Sequence, residues 1–503
     1  FSQNILVSMI KKIKNLIKLI KLFLFHNFRL RQKILKNTFW LSLSRIIGGI
    51  FRAILVIFAS RTLGSENYGY FTLALSFVLI FSFLPDFGLT AILTREFVRS
   101  SEDKEKRKKY FVNGLVTFLI LSFIALVSIV ILKDIFIRHL AAKRLIIILG
   151  IMMIIDSLRE FLYSFFRAEE KMEKQTLSYS LTNIFILIFS FYFVFLNQSP
   201  YSFAWGYLIG AVAGLIFTLF QIPWQTLLIK SLHYYVDKNT ILSLLKLSWP
   251  IGLSNFLFFV LTYLDTLILG WFKSASDVGV YQVSVKIYEF FLFLPLSLAL
   301  STFPSFSREI FLSELKKKLK IALELAFWFA LPLTFLLVPL SSKIINILFG
   351  PEYLLASLSF TILSFNFIFQ FPAMILINYA VSLDKRKDLL LFDILAIVFN
   401  FLTNLIIIPK LSFIGAAITT VISSILFLLL ITIYLIKNNF IDNEIKFNFK
   451  VLIASVLLFG FIKIFSLNIF LQIILGLFIY ITVLLLLKEE LTLDLVRFIK
   501  DNL

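Results

Sequence analysis

The chain has 503 residues, 60% of them hydrophobic and 16% charged, with a mean hydropathy of +0.95 and a formal net charge of +20. A soluble chain of this length hides its apolar residues in roughly two or three cores behind a far more charged surface, so composition excludes a soluble enzyme. The positive excess points to the anionic inner leaflet of a membrane rather than to nucleic acid. The absence of cysteine excludes disulfides and thiol chemistry, and His26, His139 and His233 lie outside the apolar stretches, so no metal site is expected.

Residues 1–37 form a basic segment that does not read as a cleaved signal, because lysines interrupt its apolar stretch. Lys11, Lys14, Lys18 and Lys21 share one helical face and Ile13, Ile17, Ile20 and Leu24 another, the pattern of an amphipathic helix lying on the inner leaflet. A disordered basic tail is the alternative. The chain opens on Phe1 rather than Met, so its true start is expected to lie upstream.

Apolar runs of about 20 residues, each long enough to cross a bilayer, follow between charge clusters and turn residues. The first six predicted spans are 38–60, 68–92, 110–132, 144–164, 177–197 and 202–229. Six more follow at 245–270, 278–304, 319–342, 354–380, 389–408 and 413–436, and a last pair at 450–466 and 469–487. From Gln175 to Ile229 no charged residue interrupts 55 residues, which read as two spans turned at Asn197-Gln-Ser-Pro200. With the N-terminus inside, 33 of the 49 lysines and arginines fall in inside segments, 7 outside and 9 within the spans or at their ends. That bias orients the chain with both termini cytoplasmic, in the cell (inner) membrane. The expected fold is therefore an all-α integral membrane protein of 14 transmembrane helices. It divides into an N-lobe (38–230), a C-lobe (245–436), a C-terminal helix pair (450–487) and a cytoplasmic tail (488–503).

The two lobes read as copies of one unit. Gly64-Ser-Glu-Asn-Tyr-Gly69-Tyr-Phe71 has its counterpart in Ser274-Ala-Ser-Asp-Val-Gly279-Val-Tyr281, and Arg95-Glu96 in Arg308-Glu309. Ser202-Phe-Ala-Trp-Gly206 matches Ser412-Phe-Ile-Gly415. Six spans per copy give both copies the same orientation, which suggests two pseudo-symmetric lobes about an axis along the membrane normal, with a central cavity.

Several of these stretches resemble bacterial polysaccharide repeat-unit flippases, the O-antigen type, of the multidrug/oligosaccharidyl-lipid/polysaccharide exporter superfamily. The resemblance rests on Ser60-Arg-Thr-Leu-Gly64-Ser-Glu-Asn-Tyr-Gly69-Tyr-Phe71, Asp86-Phe-Gly88-Leu and Thr94-Arg-Glu96. It extends to Arg167-Ala-Glu-Glu-Lys171-Met172, Trp249-Pro250-Ile251 and Phe413-Ile-Gly415-Ala-Ala, so it covers spans 1–12. It implies two bundles that open alternately to either side and a polyprenyl-diphosphate-linked oligosaccharide as cargo. The last two spans are similar to the pair that forms a lipid-tail groove in the lipid II flippases of the superfamily.

A charge at mid-bilayer costs roughly 2.5–3.5 kcal/mol even on the lenient insertion scale, so charged residues inside spans are functional candidates. Arg45 and Arg52 lie seven residues apart on one face of span 1, with Gly48 and Gly49 between them. Guanidinium forks match phosphate oxygens, so this ladder suits a diphosphate; the alternative is that an acid such as Asp265 or Asp86 holds each arginine. In span 4, Asp156, Arg159, Glu160 and Tyr163 share a face, either lining the cavity or pairing locally. In span 8, Lys286 can meet the cargo opposite Arg52 or pair with Glu289 on its own helix. Asp265 and Asp393 have no partner on their own helices; each can couple H+ or Na+, or meet an arginine next door. Asn400 and Asn404 continue the Asp393 face as interhelical contacts.

The expected function is a flippase moving lipid-linked repeat units by alternating access through a cationic cavity, without a resident cofactor. A lipid II flippase and a drug exporter are the transporter alternatives, the buried arginines disfavouring cationic drugs. A membrane polysaccharide polymerase or ligase would need a large outside loop, and the longest outside segment is only Lys133–Lys143. No Gly-x-x-x-x-Gly-Lys phosphate loop is present, so the chain is not expected to hydrolyse ATP. A polysaccharide polymerase and glycosyltransferases are the expected protein partners.

Overall fold

The computed structural model describes residues 30–222, 235–309, 311–442 and 448–502. The amphipathic segment expected around Lys11–Leu24 lies outside these residues. In chain order the helices are α1 (Leu30–Ile80), α2 (Phe83–Asp86), α3 (Leu89–Arg99), α4 (Lys104–Phe136), α5 (Leu140–Ala168) and α6 (Met172–Leu196). Next come α7 (Pro200–Gln221), α8 (Lys238–Phe272), α9 (Ala275–Phe291), α10 (Phe293–Ser307) and α11 (Leu312–Phe349). The last are α12 (Ala356–Phe365), α13 (Phe367–Ser382), α14 (Arg386–Lys437), α15 (Phe449–Ile464), α16 (Ile469–Leu486) and α17 (Glu490–Asn502). Among the described residues every regular element is helical. In a bilayer only helices and closed barrels satisfy all their backbone groups internally, so composition and fold agree.

Nine of the described helices are long and apolar enough to cross a membrane, or ten if the bent pair α12–α13 is one span. The protein is a multi-pass membrane protein. The predicted loop between spans 1 and 2 falls inside α1 and is reduced to a break at Gly64, where φ is 73°. Only glycine takes that left-handed backbone without a steric cost. Predicted spans 11 and 12 likewise share α14, broken at Ser412 with φ 52°. Elsewhere the caps follow the sequence. Ser199 accepts from the Ser202 amide at 3.1 Å with Pro200 opening α7, and Ser274 with Asp277 forms a reciprocal capping box on α9.

The contacts divide the chain into two compact units. The first takes the residues up to Leu55, Val78–Asp134 and Arg144–Phe256; the second takes Val56–Phe77, Ile135–Lys143 and the residues from Leu257 onward. In the first unit, Leu93, Phe97, Phe111, Phe118, Phe161 and Phe165 pack α3, α4 and α5 together. Beside them α6 and α7 approach as closely as two helices can. Gly206, Gly210 and Gly214 are spaced by four and so share a face, and a Cβ on any of them would come within 3.0 Å of Ser190, Ile186 or Thr182. Small residues at this spacing let membrane helices meet backbone to backbone, which replaces the hydrophobic drive that lipid does not supply.

In the second unit α15 and α16 pack on α11 through Leu331, Leu336, Leu340, Leu458, Tyr480 and Leu484. Polar anchors fix both ends of this pair. Gln472 is fully buried, donates to the carbonyls of Ile462 and Phe465, and accepts from Lys343 at 2.8 Å. At the other end the Tyr480 hydroxyl donates to the Trp328 carbonyl at 2.8 Å, and Glu489 accepts from the Thr492 amide and hydroxyl. A buried polar group without a partner is costly, so these bonds position the last helix pair more specifically than its leucines do.

Candidate functional site

In the first unit α1, α5 and α6 bring two arginines to one tyrosine. Arg52 is exposed, its Nε donates to the Gly48 carbonyl at 3.3 Å, and its Nη2 donates to the Tyr179 hydroxyl at 2.5 Å. The Tyr179 ring lies where a side chain at Gly48 would be, since a Cβ there would sit under 3.0 Å from the ring. Arg159 is 5% exposed and stands 5.8 Å from the Tyr179 ring centroid and 5.7 Å from that of Tyr163. Its Nη2 donates to Asp156 Oδ1 at 2.8 Å, while Nε and Nη1 have no hydrogen-bond partner. The two aromatic faces are what that guanidinium meets instead.

The order is therefore Asp156, Arg159, Tyr179, Arg52, from a partly exposed acid through a buried cation to an exposed one. Arg52 is the most exposed member of this row, and Arg159 is buried behind it. Tyr163 is fully buried and shares a hydrogen bond with Ser178 at 2.9 Å. Glu160 accepts from Arg167 at 2.8 Å, not from Arg159 beside it. The side chain of Arg45 lies outside those described. Asp86 accepts from the amides of Gly88 and Thr90 at 3.2 and 3.1 Å and from the Thr90 hydroxyl, so it caps the start of α3 and holds no arginine.

The second unit contains a buried carboxylate ringed by neutral donors. Asp265, 7% exposed on α8, accepts from Asn404 Nδ2 at 2.6 Å, Thr420 Oγ1 at 2.7 Å and the Tyr281 hydroxyl at 3.2 Å. Asn404 also donates to Asn400 Oδ1 at 2.9 Å and accepts from the Thr419 hydroxyl, and Asn400 donates to Ser423 at 3.2 Å. Asp265 of α8 is thus met by neutral donors from α9 and α14, and none of them is an arginine. Among the described residues no three carboxylate or histidine groups cluster as a metal site. Two hydroxyls and one amide N–H all donate to the carboxylate, so the ring solvates the buried acid. Lys286 pairs with Glu289 at 2.8 Å on α9. Asp393 is half-buried and has no hydrogen-bond or ion-pair partner among the described residues.

The same unit brings the two copies of the repeated motif against each other. A Cβ on Gly69 would fall within 3.0 Å of the Ala275 carbonyl, and one on Gly279 within 3.0 Å of the Ser65 carbonyl oxygen. Around this crossing Ser65 Oγ lies 2.8 Å from Ser276 Oγ, and the Ser65 amide donates to Glu352 at 2.6 Å. The Tyr353 hydroxyl donates to the Ser60 carbonyl at 3.0 Å, and Arg61 donates to the carbonyls of Leu348 and Ile347 at the end of α11. Sequence reasoning named Gly69 and Gly279 as equivalent but gave no sign that they touch. It also missed Tyr179, which in a chain with 17 tyrosines carries no signal before the helices pack.

Residues 34–309 match the polysaccharide biosynthesis protein family model, and residues 250–409 match the MatE model. A protein of Shigella flexneri named as an O-antigen transporter is 23% identical over 77% of this chain and 94% of its own length. A protein of Haloferax volcanii named as a low-salt glycan biosynthesis flippase is 22% identical over 88% of this chain and 93% of its own. An uncharacterised membrane protein of Methanocaldococcus jannaschii is 34% identical, over only 32% of this chain and a third of itself. Among solved structures the lipid II flippase MurJ superposes with a TM-score of 0.73 at 19% identity, over 90% of this chain and 99% of that one. The first family model spans more than half of the residues. The chain therefore belongs to the polysaccharide biosynthesis protein family, within the multidrug/oligosaccharidyl-lipid/polysaccharide exporter superfamily.

Proposed function

We propose that the protein is a flippase that carries polyprenyl-diphosphate-linked oligosaccharide repeat units from the inner to the outer leaflet of the cell membrane. The observation that carries this reading is Arg52, an exposed arginine inside an apolar span, held in place by Tyr179 in a family named for polysaccharide biosynthesis. The names of the two relatives aligned over most of their lengths support it. In this account the chain makes fourteen spans, with lobes 38–230 and 245–436, and alternates between openings to either side. Arg52, with Arg45 and Lys286, meets the diphosphate, while Arg159 and Asp156 hold Tyr179 and through it Arg52. A guanidinium pairs with phosphate oxygens as a fork, so the head group is gripped by charge while the sugars remain free to vary.

Two driving forces fit this arrangement. An uncompensated diphosphate leaving an inside-negative cell gains about 2.3 kcal/mol per charge per 100 mV, and it carries two charges. The buried Asp265 carboxylate, ringed by neutral donors, is the candidate acid for coupling H+ or Na+ to the cycle, with Asp393 as the second. The rival cargo, lipid II, has in its favour the likeness in fold to its flippase. Deletion of the chromosomal gene separates the two. Viable cells that lose a surface polymer and accumulate its lipid-linked repeat unit inside support the proposal; lysis with lipid II accumulating sinks it. Alanine at Arg52 should abolish export at normal protein level, and unchanged export would remove Arg52 from the mechanism.

A further inference from the structure

The tail expected at 488–503 holds α17, which follows the last span with only residues 487–489 between. By helical register Leu491, Leu495, Val496, Phe498 and Ile499 fall on one half of this helix. Glu490, Asp494, Arg497, Lys500 and Asp501 fall on the other half, where Leu493 is the exception. No step of the proposed cycle uses α17, and it belongs to neither site described above.

Its start is held at three points. Glu489, 1% exposed, accepts from the Thr492 amide and hydroxyl at 2.8 and 2.6 Å and from Asn448 Nδ2 at 3.0 Å. Lys450 Nζ donates to the Lys488 carbonyl at 3.0 Å, and the Trp328 indole donates to the Thr492 hydroxyl at 3.2 Å. Trp328 lies inside the apolar span of α11, and a long helical side chain leans toward the N-terminus of its helix, here the end at the membrane surface. It therefore reaches Thr492 from the membrane side. Thr492 stands in register with the apolar half of α17, so that half is turned toward the bilayer.

Two observations say what meets it there. Val496, at the edge of the apolar half, is 42% exposed, while Asp494 and Arg497 on the other half pair at 3.7 Å with their side chains 72% and 74% exposed. On α16 the apolar row Phe470, Ile474 and Phe478, four residues apart, is exposed and so meets lipid, as does Leu486 at its end. The apolar half of α17 continues that lipid-facing surface round the turn. We infer that α17 lies along the bilayer surface where α16 ends, its apolar half sunk among head groups and upper acyl chains and its charged half in water. Helices of this kind sink about 5–10 Å. Three acids against two bases give α17 a charge of −1, so burial of apolar area holds it there and not attraction to anionic lipid. Because Asn448 and Glu489 join its start to α15 and α16, the helix sets the depth of the last pair in the membrane.

The chain has no cysteine, so a single introduced thiol reports without background. I499C, V496C and R497C would each carry a nitroxide on the full chain in phosphatidylcholine nanodiscs, with oxygen and a water-soluble nickel complex as relaxing agents. Position 499 stands two turns after Thr492 on the same side, and 497 stands opposite. The nitroxide at 499 should relax with oxygen and lose access to nickel, 497 should show the reverse, and 496 should fall between. Adding phosphatidylglycerol should leave that order unchanged. Equal nickel access at 499 and 497 would place the helix in water and overturn the inference. A label at 499 shielded from both agents would mean that protein covers the apolar half, and overturns it as well. So does an order that appears only with phosphatidylglycerol, which would put charge in place of apolar burial. If I499C fails to fold, V496C against R497C decides the matter, because both of those side chains are exposed.

Discussion

If the cycle requires the stretch of α1 around Ser65 to part from α9 and from the end of α11, a covalent bond between Ser65 and Ser276 should stop it. The hydroxyls of these residues are 2.8 Å apart, which brings a cysteine pair within reach of the usual disulfide span. The chain has no cysteine of its own, so S65C/S276C would contain the only two thiols. The crossing is held by five hydrogen bonds, involving Arg61 twice, Glu352, Tyr353 and the serine pair. At about 1 kcal/mol net for a typical bond, and less for exposed ones, they favour closure by about 3–4 kcal/mol. That leaves the parted state populated at about one to six parts in a thousand, enough for turnover and small enough to be missed in a static picture. Oxidation should reduce export of the lipid-linked oligosaccharide to the level of a gene deletion, and a reductant should restore it. Each single cysteine should export normally under oxidant. Full export by a protein shown to be cross-linked would refute the idea that this crossing opens.

Three further outcomes follow from the same geometry. Sodium at about a hundredfold its dissociation constant should stabilise the wild type by about 2.7 kcal/mol against thermal unfolding, with potassium as control, and D265A should abolish the gain; a wild type indifferent to both sodium and pH would argue against coupling at Asp265. G210V would drive a branched side chain into the backbone of Ile186 and should cost about 3 kcal/mol, lowering the melting temperature and the amount of protein in the membrane. A G210V protein as stable as the wild type would mean that α6 and α7 do not meet at that stripe. Asp237, beside the start of α8, accepts from Lys109, the Thr240 hydroxyl and the Asn239 amide, which hold its carboxyl down at about 2. A depressed carboxylate stabilises above its ordinary range and loses that contribution only as the pH falls through its own value. D237N should therefore speed proteolysis of the 235–240 segment at pH 7, and an unchanged cleavage rate would contradict the role of the Lys109 pair.

What the sequence disclosed and what it withheld divide along the range of the interaction. The pairs Asp156–Arg159 and Lys286–Glu289 were readable because helical periodicity alone puts residues three apart on one face, and both form. Ser274 and Asp277 were read only as part of the repeated motif, and the capping box they form was not drawn from the sequence. The glycine stripe of α7 was there to be seen in its spacing of four, but its partner face of Ser190, Ile186 and Thr182 has no pattern of its own. Asp265 lacked a partner on its own helix; it finds three across 16, 139 and 155 residues of sequence, which no single-helix pattern encodes. Arg52 was expected to face a diphosphate, with an acid such as Asp265 or Asp86 as the alternative partner; the groups that hold it are a tyrosine hydroxyl and a backbone carbonyl. The loops at Gly64 and Ser412 were expected to be longer. Each shrinks to one residue with positive φ because the helices on either side extend past their apolar cores.

Transbilayer movement by the isolated protein bears most directly on the central claim. The purified chain would be reconstituted into liposomes with a polyprenyl-diphosphate-linked oligosaccharide in the outer leaflet, an inside-positive potential imposed to mimic the cellular sense of transport, and the sugars exposed outside followed with an impermeant enzyme. Protein-dependent, potential-sensitive disappearance of the outer sugars, lost in R52A, is the predicted result. Movement at the same rate in R52A liposomes, or none with the wild type while lipid II moves, would contradict the account.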